Sequence, residues 1–108
     1  MVYRKSLDYV DFVYQVSSKF PSEERFGLAS QFQRAAQSIA LNIGEGSGGS
    51  KTEFKQFLRI ARRSVRECVV CTAIARRREF MTSQEEATSR ERCAEISKML
   101  SGLLGSLD

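Results

Sequence analysis

KTEFKQFLRIARRSVRECVVCTAIARRR, residues Lys51–Arg78, is the stretch that decides the fold. Phe54, Phe57, Leu58, Ala61, Val65, Cys68 and Thr72 recur at three- and four-residue intervals, the spacing of one helix face. Lys55, Arg59, Arg62 and Arg66 step by four, three and four. At 3.6 residues per turn they fall within about 60° of arc, roughly a third of a turn from the apolar stripe. One long helix can therefore bury one side and present guanidinium groups on another. Ser50-x-x-Glu53 has the spacing of a capping box and marks its start.

The charge is local. The chain has 17 Lys+Arg and 13 Asp+Glu, net +4. Residues 51–78 contain nine of the basic residues and only Glu53 and Glu67 as acids, a local +7 that leaves −3 for the rest. Such a patch suits a polyanionic partner. Seven of the nine are Arg, the better residue for bidentate phosphate contact.

The remaining segments are also helical in period, and no stretch alternates as a half-buried strand does. A first helix is expected from about Tyr3 to Lys19, stopping before Phe20-Pro21. It has two apolar stripes: Tyr3, Leu7, Val10 and Tyr14 on one side, Tyr9, Val13, Val16 and Phe20 on another. A helix of a small bundle buries one face, so the surplus implies a subunit interface, which we place at Tyr9, Val13, Val16 and Phe20. Ile60, Val70 and Ile74, outside the core stripe of the basic helix, are a second such signal.

Ser22 is the expected cap of a second helix, with Glu23 and Glu24 in its first turn and Gly46 as a left-handed stop. Phe32, Ala36, Ile39 and Ile43, flanked by Leu28 and Ala35, form its buried stripe. Opposite lies a polar ladder, Ser30, Arg34, Ser38 and Asn42, with Glu45 nearby in azimuth. Three readings stay open for it: a solvated surface, an inter-subunit hydrogen-bond seam, or part of a ligand surface. Ser83-x-x-Glu86 marks a fourth helix, in which Cys93, Ile96, Leu100, Leu103 and Leu107 make a three-four seam suited to bundle packing. Short connections imply antiparallel neighbours. The expectation is all-α, a single antiparallel up-and-down four-helix bundle over residues 1–108.

Several chemistries are excluded. There is no histidine, so neither a His-assisted nucleophile nor the Glu-x-x-His of a di-iron bundle is possible. Cys68-x-x-Cys71 lies mid-helix, and three cysteines without histidine cannot complete a four-ligand zinc site. Gly44–Thr52 resembles a phosphate loop superficially, but Glu45 and Ser50 stand where the Walker pattern needs glycine. We therefore expect no enzyme activity, cofactor, metal or small-molecule substrate. No apolar run approaches a membrane span and no basic-then-apolar leader follows Met1, which reads as a cytoplasmic protein.

The run Phe20-Pro-Ser-Glu-Glu-Arg-Phe-Gly-Leu28, Gln31, Arg34-Ala-Ala-x-Ser-Ile39, Asn42-Ile43 and Glu45-Gly-Ser-Gly48 carries a family likeness. It continues through Glu53-Phe54, Phe57-Leu58, Ile60-Ala61, Ser64, Glu67 and Ile96-x-x-Met99-Leu100. In these the chain resembles the bacterial four-helix-bundle proteins encoded in 23S rRNA intervening sequences. It departs from them at Tyr3, where members commonly have Trp, and at Ala40, where they often have Pro. The resemblance implies a ring-shaped homopentamer and an association with rRNA.

Together these lead to a non-enzymatic homo-oligomer that binds structured RNA, with rRNA favoured, through Lys55, Arg59, Arg62, Arg63 and Arg66. The alternative is an oligomeric scaffold whose partner is a protein with an acidic surface.

Overall fold

A computed structural model describes residues 1–108 as four α-helices: α1 (Val2–Ser17), α2 (Leu28–Gly46), α3 (Lys51–Arg77) and α4 (Ser83–Ser106). Each packs against its two neighbours around the bundle, and α1 closes the ring against α4 along the sparsest seam. The molecule measures 43 × 24 × 18 Å, elongated along α3. It is the expected four-helix bundle, without strands. No helix is long and apolar enough to cross a membrane.

The start of α3 is built as its sequence demands. The Ser50 side chain accepts from the Glu53 N–H at 3.2 Å, and the Ser50 N–H donates to Glu53 Oε1 at 2.9 Å. Below the cap, Leu58, Ala61, Val65, Cys68 and Thr72 are buried, while Ile60, Val70 and Ile74 stay exposed. The α2 stripe of Leu28, Phe32, Ala35, Ala36, Ile39 and Ile43 is buried against it.

Three helix ends differ from the sequence reading. Ser22 opens a single 3₁₀ turn, Ser22–Glu24, and not α2. The chain leaves the helical path at Gly27 (φ −111°, ψ −113°), and α2 begins at Leu28. Its cap comes from the preceding turn, where Glu24 Oε1 accepts from the Leu28 N–H at 3.1 Å. Glu24, expected inside the helix, thus acts from outside it, where its carboxylate meets an otherwise unpaired N–H group.

Gly46 is the last residue of α2 and is not left-handed; no glycine has a positive φ. Its role is contact. A Cβ at Gly46 would lie 2.6 Å from Phe57 Cβ and 3.0 Å from Phe54 Cδ1, so the missing side chain lets α2 and α3 converge. The one left-handed residue is Glu79 (φ 63°), just past α3. There the Phe80 N–H reaches the Ala75 carbonyl at 2.8 Å and the Glu79 N–H reaches that of Arg76 at 3.1 Å, a Schellman closure. That closure and the burial of Met81 move the α4 capping box one residue earlier than expected, to Thr82 and Glu85. The two N–H···O bonds of this box are 2.9 and 3.0 Å.

The largest correction concerns α1. Tyr9, Val13, Val16 and Phe20, expected at a subunit interface, are buried in the chain's own core. They face α2, α3 and α4, and Phe20 packs on Phe80 at 5.5 Å between ring centroids. The stripe left outside is the other one, with Tyr3, Leu7 and Tyr14 exposed. Both stripes are apolar in composition, and bundle closure alone decides which is covered.

Inside the core a polar chain crosses three helices. Tyr9 Oη and Ser89 Oγ are 2.8 Å apart, Ser89 Oγ and Thr72 Oγ1 2.8 Å, and Thr72 Oγ1 lies 2.8 Å from the Cys68 carbonyl. A carbonyl only accepts, so Thr72 donates to Cys68. Each hydroxyl has one proton, so Ser89 donates to Thr72 and Tyr9 to Ser89. No buried side-chain nitrogen or oxygen lacks a partner.

Candidate nucleic-acid interface

Because α3 buries one side against the bundle, its opposite side projects Arg59, Arg63 and Arg66 into solvent. None of the three has an ion-pair partner. Arg77, eleven residues beyond Arg66, returns to nearly the same azimuth and is also exposed and unpaired. The edge toward α4 is more constrained. Lys55 is half-buried and pairs with Asp108, and half-buried Arg62 donates to Ser101 Oγ at 3.3 Å. The five residues read from the sequence as one patch therefore do share one surface, with two of them steadied by the end of α4. From Lys51 to Arg77 the stripe is about 40 Å long.

Charges left without partners on a rigid helix are ready for an external anion, since no internal pair has to be broken. The arrangement suits phosphate contact. No aromatic side chain lies among these guanidinium groups to stack on bases. The one strongly exposed aromatic, Phe26 at 89 %, belongs to the turn before α2, beside Arg25.

The polar ladder of α2 is divided by the structure. Ser38 serves the α2–α3 contact, with Ser64 Oγ 2.8 Å from Ser38 Oγ, while Asn42 Nδ2 bonds within α2, donating to the Ser38 carbonyl and hydroxyl at 2.7 and 3.1 Å. Ser30 and Arg34 continue along a shallow depression shared with Phe26, Gln31 and Glu67. Glu45 is apart from both. It borders an apolar depression between α1 and α2, lined by Tyr3, Leu7, Val10, Ala40 and Leu41. Leu41 is 61 % exposed there.

The three thiols offer no reactive centre. Cys68, Cys71 and Cys93 are free and buried. Burial pushes all three up, Cys71 to about 11, so thiolate is scarce near neutrality. No cluster of three or more Cys, Asp or Glu side chains is arranged to hold a metal ion.

Sequence reasoning overlooked two residues of this surface. Arg77 was legible from its spacing to Arg66. Asp108 was not, because its place on Lys55 follows from the antiparallel register of α3 and α4 and from no local pattern.

Comparison with known proteins agrees with this fold. A solved structure of a protein of unknown function from the S23 ribosomal protein family of Bacteroides thetaiotaomicron superposes with a TM-score of 0.89. The two are 24% identical, over 96% of this chain and 98% of that one, a likeness that bears on the fold. No curated protein matches the chain. The sequence profile of 23S rRNA-intervening sequence proteins matches residues 1–102, and the chain belongs to that family.

Proposed function

We infer that the protein is a non-enzymatic, homo-oligomeric bundle of the cytoplasm that binds structured RNA, rRNA foremost, through the basic side of α3. The observation that carries this reading is the unpaired set Arg59, Arg63 and Arg66, flanked by Lys55 and Arg62 on one surface. Contacts would be chiefly to phosphates, because a straight helix cannot enter the deep, narrow major groove of A-form RNA. Family membership supports an rRNA target. Self-association, as a ring of five by the resemblance, is supported by the exposed apolar depression of Tyr3, Leu7, Val10 and Leu41. A ring repeats the basic stripe in every subunit and raises avidity.

The test is fluorescence anisotropy with a structured 23S rRNA fragment and an unrelated RNA of equal length, across a salt series. Tighter binding of the rRNA fragment that falls steeply with salt is expected. Absence of binding to either RNA would overturn the reading in favour of a protein-binding scaffold.

A further inference from the structure

One carboxylate already sits on the basic side of α3. Asp108, two residues past the end of α4, reaches the Lys55 ammonium and forms an ion pair with it. Lys51, Lys55 and Arg59 follow one another at four-residue steps, so they climb the same flank of α3, advancing roughly 40° per step. Lys55 holds the Asp108 carboxyl below its ordinary range, and the charges of Arg59 and Lys51 add to the effect. Lys55 is the cation in contact with Asp108, and Lys51 and Arg59 stand about one turn to either side of it on the same flank.

The two partners of this pair are unlike. The Lys55 side chain is only 23% exposed, whereas that of Asp108 is 69% exposed. The cation is held by its surroundings and the anion is largely open to solvent. The other three ion pairs join helix flanks elsewhere: Lys5 to Glu95, Lys19 to Glu85, and Arg76 to Glu86. Only at Lys55 is an anion seated among the residues proposed to meet RNA. A carboxylate and a phosphate offer the same charge-assisted acceptors, and a phosphate has more oxygens to share among three cations.

We propose that Lys51, Lys55 and Arg59 form a phosphate subsite of the α3 surface, occupied in the free protein by the Asp108 side chain, which an RNA phosphate displaces. The subsite rests on the RNA-binding reading and gives it an anchor point. Exchange of one anion for another leaves Lys55 paired throughout. Asp108 acts as a built-in competitor: it lowers affinity for any single phosphate and leaves tight binding to ligands that also engage Arg62, Arg63 and Arg66.

The experiment compares Asp108→Asn with Glu91→Gln, an equal charge change on exposed α4 surface about 25 Å away. RNA affinity at low salt is expected to rise about two- to fivefold in Asp108→Asn beyond the rise in Glu91→Gln. That excess should vanish when Lys55→Gln is added. Equal gains in both single variants, or a gain that survives Lys55→Gln, would overturn the subsite. A second arm titrates inorganic pyrophosphate and follows the backbone NMR signals of residues 51–59. Saturable shifts there, tighter in Asp108→Asn, with no RNA bound by either protein, would sustain the anion subsite while removing RNA as its ligand. No pyrophosphate response in either protein would overturn the subsite itself.

Discussion

Tyr9 Oη and Ser89 Oγ lie 2.8 Å apart in the bundle interior, joining α1 to α4, the pair of neighbouring helices with the sparsest contact. The bond is the head of a relay that runs from Tyr9 through Ser89 and Thr72 to the Cys68 carbonyl. Burial pushes the Tyr9 phenol far up, which keeps its proton available for donation near neutrality. The direction of the relay makes the two ends unequal. Tyr9→Phe removes a donor and leaves Ser89 still donating to Thr72, a loss of about 1 kcal/mol. Ser89→Ala strands the buried Tyr9 hydroxyl without an acceptor and is expected to cost about 2–3 kcal/mol. Urea denaturation of both and of the double variant checks this. The double should be less destabilised than the sum, and strict additivity would show the bond to be idle.

Gly46 and Gly105 are both helical and should respond oppositely to alanine. At Gly46 the new methyl meets Phe57 Cβ at 2.6 Å, so α2 and α3 must separate, and a net loss of about 1–2 kcal/mol is expected. At Gly105 nothing lies within 4 Å, and Ala should stabilise α4 by about 0.5–1 kcal/mol. Denaturation midpoints that move the same way in both variants would contradict this account of Gly46.

Glu85 links acid stability to one residue. Lys19, 2.5 Å away, holds its carboxyl below the ordinary range, helped by the hydrogen bonds of Thr82. A carboxylate depressed in the folded state contributes stability above its unfolded pKa and loses it as pH falls through the folded value. Glu85→Gln can keep a capping-box geometry without the charge. The variant should be less stable than the parent at pH 7, and the difference should close below about pH 4. A gap of constant size from pH 7 to pH 3 would assign the effect to geometry and not to charge.

What could be read from the sequence was what repeats locally. The α3 stripe, its Ser50–Glu53 box and the α2 core positions follow from a 3.6-residue period and one fixed offset, so tertiary context had little to add. Where two local solutions were equivalent, only packing could choose. Thr82 and Ser83 each have a glutamate three residues on, and the Schellman turn at Glu79 selects Thr82. Gly46 fits a helix stop as well as a close contact, and Phe57 on another helix decides. For the candidate site, the arginines were legible because they share one helix. The Asp108 pairing was not, being a contact between residues 53 positions apart.

The two stripes of α1 now make different predictions. Leu7 and Leu41 are exposed on neighbouring helices beside one apolar depression, so Leu7→Asp with Leu41→Asp should leave the fold nearly intact. Sedimentation is expected to find the parent as an oligomer and this variant as the single chain. Val13→Asp, by contrast, buries an unpaired carboxylate at a site with no exposure, and should unfold the chain. An unchanged assembly mass in the Leu7/Leu41 variant would place the subunit contact elsewhere, with the exposed Ile60, Val70 and Ile74 of α3 next to be tested.

Arg59→Glu with Arg62→Glu is the sharpest probe of the basic surface. Both lie on the side of α3 away from the core stripe. Arg59 has no internal partner and Arg62 only a 3.3 Å bond to Ser101. Reversal should therefore spare helicity and the denaturation midpoint while replacing two cations of the proposed RNA-binding surface with anions. Affinity for the rRNA fragment should fall tenfold or more at about 0.1 M salt, and the slope of log K against log salt should become shallower by about two, one per lost phosphate contact. The slope is the more telling number. A loss of affinity with an unchanged slope would mean that the variant misfolds or assembles poorly, whereas unchanged affinity would exclude this face of α3 from RNA binding altogether.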